Sequence, residues 1–191
     1  KLSVRDMNMV VFALVMPLVI TLILGFVYGG KPAFEGANYT SFELAFGAMA
    51  SIGILASGVM GLPLVLSEYR DKKILKRYQC TPISPRFLLF VQLVKYAVYS
   101  VLSLVLVAIV ALSFGYRMDG NVIAFLGAYV LLLLALYSIG MFVASIAPTA
   151  QTAGLICCFL YFPMLILSGA TLPYEIMPNW LQIVADFMPL T

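Results

Sequence analysis

The chain has 191 residues, of which 63% are hydrophobic and only 10% charged, with a net charge of +3 and a mean hydropathy of +1.07. A water-soluble domain carries about a quarter charged residues, so this composition excludes one and places the chain in a membrane. The small positive balance argues against a nucleic-acid partner. With no His, and with Cys80, Cys157 and Cys158 lacking ligand or disulfide spacing, no catalytic, cofactor-binding or metal-ligating set can be drawn from the residues.

Crossing the bilayer takes about 20 apolar residues as a helix. In chain order, residues 9–28 make a first span, with Pro17 as an expected kink, and residues 44–66 an uncharged second. A third covers 87–115 and is interrupted only by Lys95. Residues 120–174 contain no charge at all, a run of 55 that is too long for one span. Pro148 within APTAQT (147–152) breaks it, and Thr149 or Thr152 can cap the next helix, giving spans at 122–147 and 150–168. The expected fold is an all-α integral membrane protein, a polytopic helical bundle in a single transmembrane domain.

Charge fixes the orientation. With the N-terminus inside, the inner segments hold Lys1, Arg5 and six basic residues between 67 and 86, and the outer ones hold only Lys31 and Arg117. The chain is thus expected to be a multi-pass protein of the cell membrane with a cytoplasmic N-terminus.

Two features invite motif readings. GFVYGGKP (25–32) matches the start of a phosphate-binding loop, but Pro32 stands where a magnesium-holding hydroxyl is needed, so it is expected to be an outer turn. Gly53, Ser57 and Gly61 recur every four residues in the second span, a stripe suited to close helix packing within one bundle or across a dimer.

Residues 67–86, SEYRDKKILKRYQCTPISPR, gather eight of the nineteen charges. As a helix over 68–79 they would place Ile74, Leu75 and Tyr78 on one stripe and Arg70, Lys73 and Arg77 on another. The residues alone fit two readings: a basic anchor against membrane lipid, and a rigid docking surface for a soluble partner. Each Lys or Arg near anionic lipid is worth ~1 kcal/mol. Glu68, Asp71 and the stiff ending with Pro82 and Pro85 are left unexplained by an anchor.

The order EYRDKKILKRYQCTPISP resembles the first cytoplasmic loop of type-2 ATP-binding-cassette (ABC) exporter permeases. Glu68, Arg70, Lys73, Leu75, Thr81, Pro82 and Ser84 fall on the family pattern, and Lys95 early in the third span is also usual there. A Gly-Thr pair, common in the family, is replaced by Lys73-Ile74. The stretch 167–191 is similar as well, through Ser168-Gly169, Pro173, Met177-Pro178, Trp180-Leu181 and Pro189-Leu190-Thr191. The resemblance implies short re-entrant helices on the outer face after span five, a sixth span beyond Thr191, and residues ahead of Lys1.

It further implies a permease subunit that hydrolyses no ATP itself. Two permeases, identical or sister copies, would form the path, and a cytosolic ABC ATPase in two copies would bind ATP and magnesium. Loop 67–86 would couple them, through Glu68, Arg70, Asp71, Lys73, Lys76 and Arg77, with Pro82 and Pro85 as stiffeners. Lys95 and Glu43 are the ionisable candidates for the path, although Lys95 can also snorkel, lying ~13 Å past Arg86 along a helix. Phe46, Met49, Tyr137, Phe159 and Phe162 are candidate lining, which favours hydrophobic or amphipathic cargo, drug-like or lipid-like. An ion-coupled secondary transporter and a non-transporting scaffold subunit are the competing classes. The first lacks a midplane carboxylate; the second would show no cargo-dependent ATP turnover.

A phosphatase reporter that works only outside the cytoplasm should be silent when fused after Gln79 and active after Lys31 or Arg117. The inverse pattern would overturn the orientation.

Overall fold

A computed structural model describes residues 14–28, 41–74, 84–114 and 121–168. Six α-helices build this described part: α1 (Met16–Tyr28), α2 (Ser41–Leu55), α3 (Leu62–Asp71), α4 (Pro85–Ser113), α5 (Val122–Ile146) and α6 (Ala150–Leu167). A π-helical turn, Ala56–Gly61, joins α2 to α3 into one continuous second span. No strand occurs among the described residues. Among them, four helical stretches are long and apolar enough to cross a membrane: Phe46–Asp71, Arg86–Ser113, Val122–Ile146 and Ala150–Leu167. The described part of span one is α1, with Pro17 at the junction between residues 14–15, themselves π-helical, and α1.

The ends reflect local chemistry. Ser84 accepts from the Phe87 N–H at 3.3 Å and Pro85 opens α4. Asn121 Oδ1 accepts from Ile123 N and Ala124 N at 3.0 and 3.4 Å to start α5. At the expected break, α5 stops before Pro148. Thr149 then accepts from Thr152 N at 3.3 Å while Thr152 Oγ1 accepts from Thr149 N at 3.2 Å, a reciprocal capping box.

Span two is the hub. In its apolar window 89% of residues are buried, against 28%, 17% and 28% in spans three, four and five. It packs against α1 and α4 through α2, and against α5 and α6 through α3 and the π turn. The reason lies in its small residues and its broken ladder. Leu62 N–H bonds back to Ser57 O, five residues earlier. The next residue is Pro63, which has no N–H to give to Gly58 or Val59. The Gly58 carbonyl oxygen all but fills the place where a Cβ on Gly140 would stand, and Pro63 Cδ lies 3.5 Å from the same point. Gly140 therefore admits the interrupted segment against α5. One turn on, Gly61 lies beneath the Tyr96 ring, whose Cε1 would meet a Cβ at 2.7 Å.

The helix of the second span runs on past Leu66 to Asp71, with Ser67 fully buried and Arg70 bonded to a neighbouring span. One expectation is corrected: no single helix covers 68–79. The chain leaves the helix at Lys72 and Lys73, where Lys73 takes φ +52°. That left-handed conformation suits glycine, and position 73 is where the resemblance leads one to expect it.

Gly140→Ala should destabilise the purified full-length protein by about 1–3 kcal/mol through overpacking, whereas Gly127→Ala, with open space around it, should leave the melting midpoint unchanged or slightly raised. Equal behaviour of the two in a thermal melt would refute the close approach. Lys73→Gly should raise the midpoint, by up to ~1 kcal/mol of relieved left-handed strain; a drop would show that the lysine side chain itself stabilises the turn.

Candidate functional site

The charged end of span two is built from the last turn of α3. Glu68 and Lys72 form an ion pair one turn apart, both well exposed, and the hydrogen bond from Lys72 to Glu68 lifts the ammonium above the ordinary lysine range. Such exposed pairs contribute little to stability. Arg70 is placed differently. One guanidinium nitrogen, Nη1, donates to both Ser145 O and Ala147 O at 3.1 Å each, at the C-terminal end of α5. The 2–3 loop and the 4–5 turn therefore share one face of the bundle, as alternating spans require. Asp71 and Lys73 are exposed at the helix end. Lys76, Arg77 and Pro82 lie outside the described residues, while Pro85 is the first residue of α4.

Just inside this end, Gln92 Nε2 donates to Tyr69 Oη at 2.7 Å and ties α4 to α3. Half-buried Lys95 holds its ammonium 5.4 Å from the Tyr96 ring centroid and 5.9 Å from that of Tyr99. That is cation–π range, an attraction of the order of 1 kcal/mol.

Deeper in the bundle, four hydroxyls meet beside the π turn. Ser57 Oγ lies 2.5 Å from Ser100 Oγ, which lies 2.9 Å from Tyr137 Oη; Tyr137 donates to Ser57 at 3.2 Å. Tyr129 Oη donates to the Ser100 carbonyl at 2.8 Å. All four residues are buried. In hydrocarbon a lone hydroxyl is costly, and interhelical bonds of this kind are worth ~0.6–2 kcal/mol each. The cluster joins spans two, three and four. Sequence reasoning singled out Ser57 for packing and Tyr137 for lining but missed Ser100 and Tyr129. The available signal was the polar series Gln92, Tyr96, Ser100 and Ser103, spaced by four, four and three along a span whose one charge is Lys95.

The other candidates disperse. Phe46 and Met49 are buried with Val107 and Ala111 in a separate apolar cluster, and Phe46 stacks on Phe125 at 5.9 Å. Tyr137 is core as well. Phe159 and Phe162 are 80% and 57% exposed on the outward face of α6, in line with Leu155 and Ile166. Glu43 falls in the first turn of α2, and Gly53 is buried there, its carbonyl accepting from Ser57 Oγ at 2.8 Å. Gly169, Pro173, Pro178, Trp180 and Pro189 lie outside the described residues, as do residues 29–32 of GFVYGGKP, whose first four residues form the last turn of α1.

Comparison with known proteins gives the geometry a context. No solved structure matches. The chain is 24% identical over 180 residues, 92% of its length and 62% of the other's, to the daunorubicin resistance ABC transporter permease protein DrrB1 of Streptomyces coeruleorubidus. It is 29% identical over 143 residues, 74% of its length and 38% of the other's, to the inner membrane transport permease YhhJ of Escherichia coli strain K12. It thus spans less than two thirds of the curated relatives it matches. The family described as ABC-2 type transporter is matched over residues 1–191, and on that match the chain belongs to the ABC-2 type transporter membrane permease family.

Proposed function

We propose that this chain is the membrane-spanning part of an ATP-driven exporter and that residues 67–86 couple it to a separate cytosolic ATPase. The observation that carries the reading is the family match over the whole chain, joined to a stretch of mixed charge that begins at the end of span two, the most buried of the four long apolar spans among the described residues. ATP and magnesium would act on the partner. This chain's part is mechanical: a stiff lever, α3, whose tip carries Glu68, Asp71 and Lys73 and continues into Lys76 and Arg77. The lever's root is the π turn, where the backbone ladder is already interrupted.

Hydrophobic or amphipathic cargo suits the rest. The outward face of α6 offers Leu155, Phe159, Phe162 and Ile166, and a second permease copy facing it would enclose an apolar path. Drug-like cargo draws support from the DrrB1 name, which speaks of daunorubicin resistance in that protein. The site is the cell membrane, with the charged end inside.

The test is copurification of the full-length permease with its ATPase from lipid nanodiscs, followed by ATP turnover. Lys73→Glu, Lys76→Glu and Arg77→Glu together should weaken assembly by about tenfold or more, since reversed charges juxtapose like with like across the joint. Unchanged assembly and turnover would reduce the segment to a lipid anchor.

A further inference from the structure

We propose that Arg70 is a positioning residue that carries displacement of the 67–86 segment into the turn joining spans four and five. The proposal rests on the reading of that segment as the ATPase-coupling element.

The backbone at the turn has two carbonyls for which the local chain has no ready donor. In a continuing helix Ser145 O would accept from the N–H of Thr149, but that N–H is given to Thr152 Oγ1 at 3.2 Å, inside the capping box that starts α6. Pro148 has no N–H to substitute. Ala147 is the C-cap of α5; its own N–H returns to Val143 O and its carbonyl lies past the helix. Helix C-termini often recruit a cation from their own last turn, yet α5 has no basic residue there. Arg70, 75 and 77 residues away in sequence, fills both places with one nitrogen.

The position of Arg70 on its own helix turns a cap into a tie. It stands in the last turn of α3, whose final residue is Asp71 and whose chain turns at Lys72 and Lys73. Among the described residues of α3 it is thus the last whose side chain is bonded to another span. Farther up, α3 already packs on α5 and α6, with Leu64 Cδ2 3.5 Å from the Cβ position of Gly154 and Pro63 against Gly140. If the tip of α3 moves, the charged bonds to Ser145 O and Ala147 O either break or draw the turn along. Because Ala147 and Thr149 end one span and begin the next, a displaced turn reaches spans four and five together. Arg70 faces the bundle through these bonds, so its part in coupling differs from the docking contact expected from sequence.

Hydrogen–deuterium exchange on the full-length permease with its ATPase in nanodiscs tests this, comparing nucleotide-free and ATP–vanadate-trapped samples. In wild type, trapping should alter exchange at residues 75–83 and at 143–154. Arg70→Gln should keep the ATPase bound and still respond at 75–83, while the response at 143–154 falls by about fivefold or more, the low end of ordinary intersite coupling. Arg70→Lys, which retains the charge, should lie between the two and stands in if Arg70→Gln does not insert. A wild-type response at 143–154 in either variant overturns the proposal. So does a wild-type turn that ignores trapping, or loss of the ATPase from Arg70→Gln, which would make the residue a docking contact. Failure of wild type to bind the ATPase, or silence at 75–83, would instead sink the coupling reading itself.

Discussion

A helix in hydrocarbon has no water to fall back on when its hydrogen-bond ladder is interrupted, and span two is interrupted at its centre. The π turn Ala56–Gly61 followed by Pro63 removes a regular donor from the ladder. Neighbouring features compensate. Gly140 lets α5 come against the Gly58 carbonyl, Ser100 and Tyr137 bring hydroxyls to Ser57, and the Tyr96 ring covers Gly61. The high burial of span two is the result: a segment with exposed polar backbone would not survive against lipid, so other spans surround it.

The same constraint acts at the charged end, with a different solution. There the ladder of α5 is cut short by Pro148 and by a capping box that diverts the Thr149 N–H. A cation from another span answers the vacated carbonyls. Both places show polar groups in a membrane bundle being satisfied across helices instead of along them, and span two takes part in both.

Much of the fold was legible beforehand because the signals are long. A 55-residue run without charge must be folded back on itself, and Pro148 with Thr149 says where. Span ends guarded by Ser84-Pro85 and Asn121 are readable for the same local reason. The illegible part depends on pairs distant in sequence. Small residues at 53, 57 and 61 signal close packing but not which ring or carbonyl fills the space. The Arg70 bond could not be foreseen either, since a basic residue beside Glu68 and Asp71 looks like any solvated charge until its partner 77 residues on is placed beside it. The helical stop at Lys73 was half visible: the expected glycine marked the spot, and the lysine hid it. Pro163, inside α6, gave no sequence expectation and is accommodated within that helix.

The hydroxyl cluster has a property that emerges from counting its hydrogens. Ser57, Ser100 and Tyr137 own one donor each. Ser57 Oγ can direct its hydrogen to Gly53 O at 2.8 Å or to Ser100, and Ser100 can direct its own to Tyr96 O at 3.3 Å or to either neighbouring hydroxyl. Tyr137 can donate only across helices among these partners. The two serines can therefore turn their hydrogens along their own helices or across the seam, whereas the Tyr137 bond always crosses it. The seam thus has one donor committed to crossing it, Tyr137, and two serines whose hydrogens can be exchanged between their own helices and their neighbours.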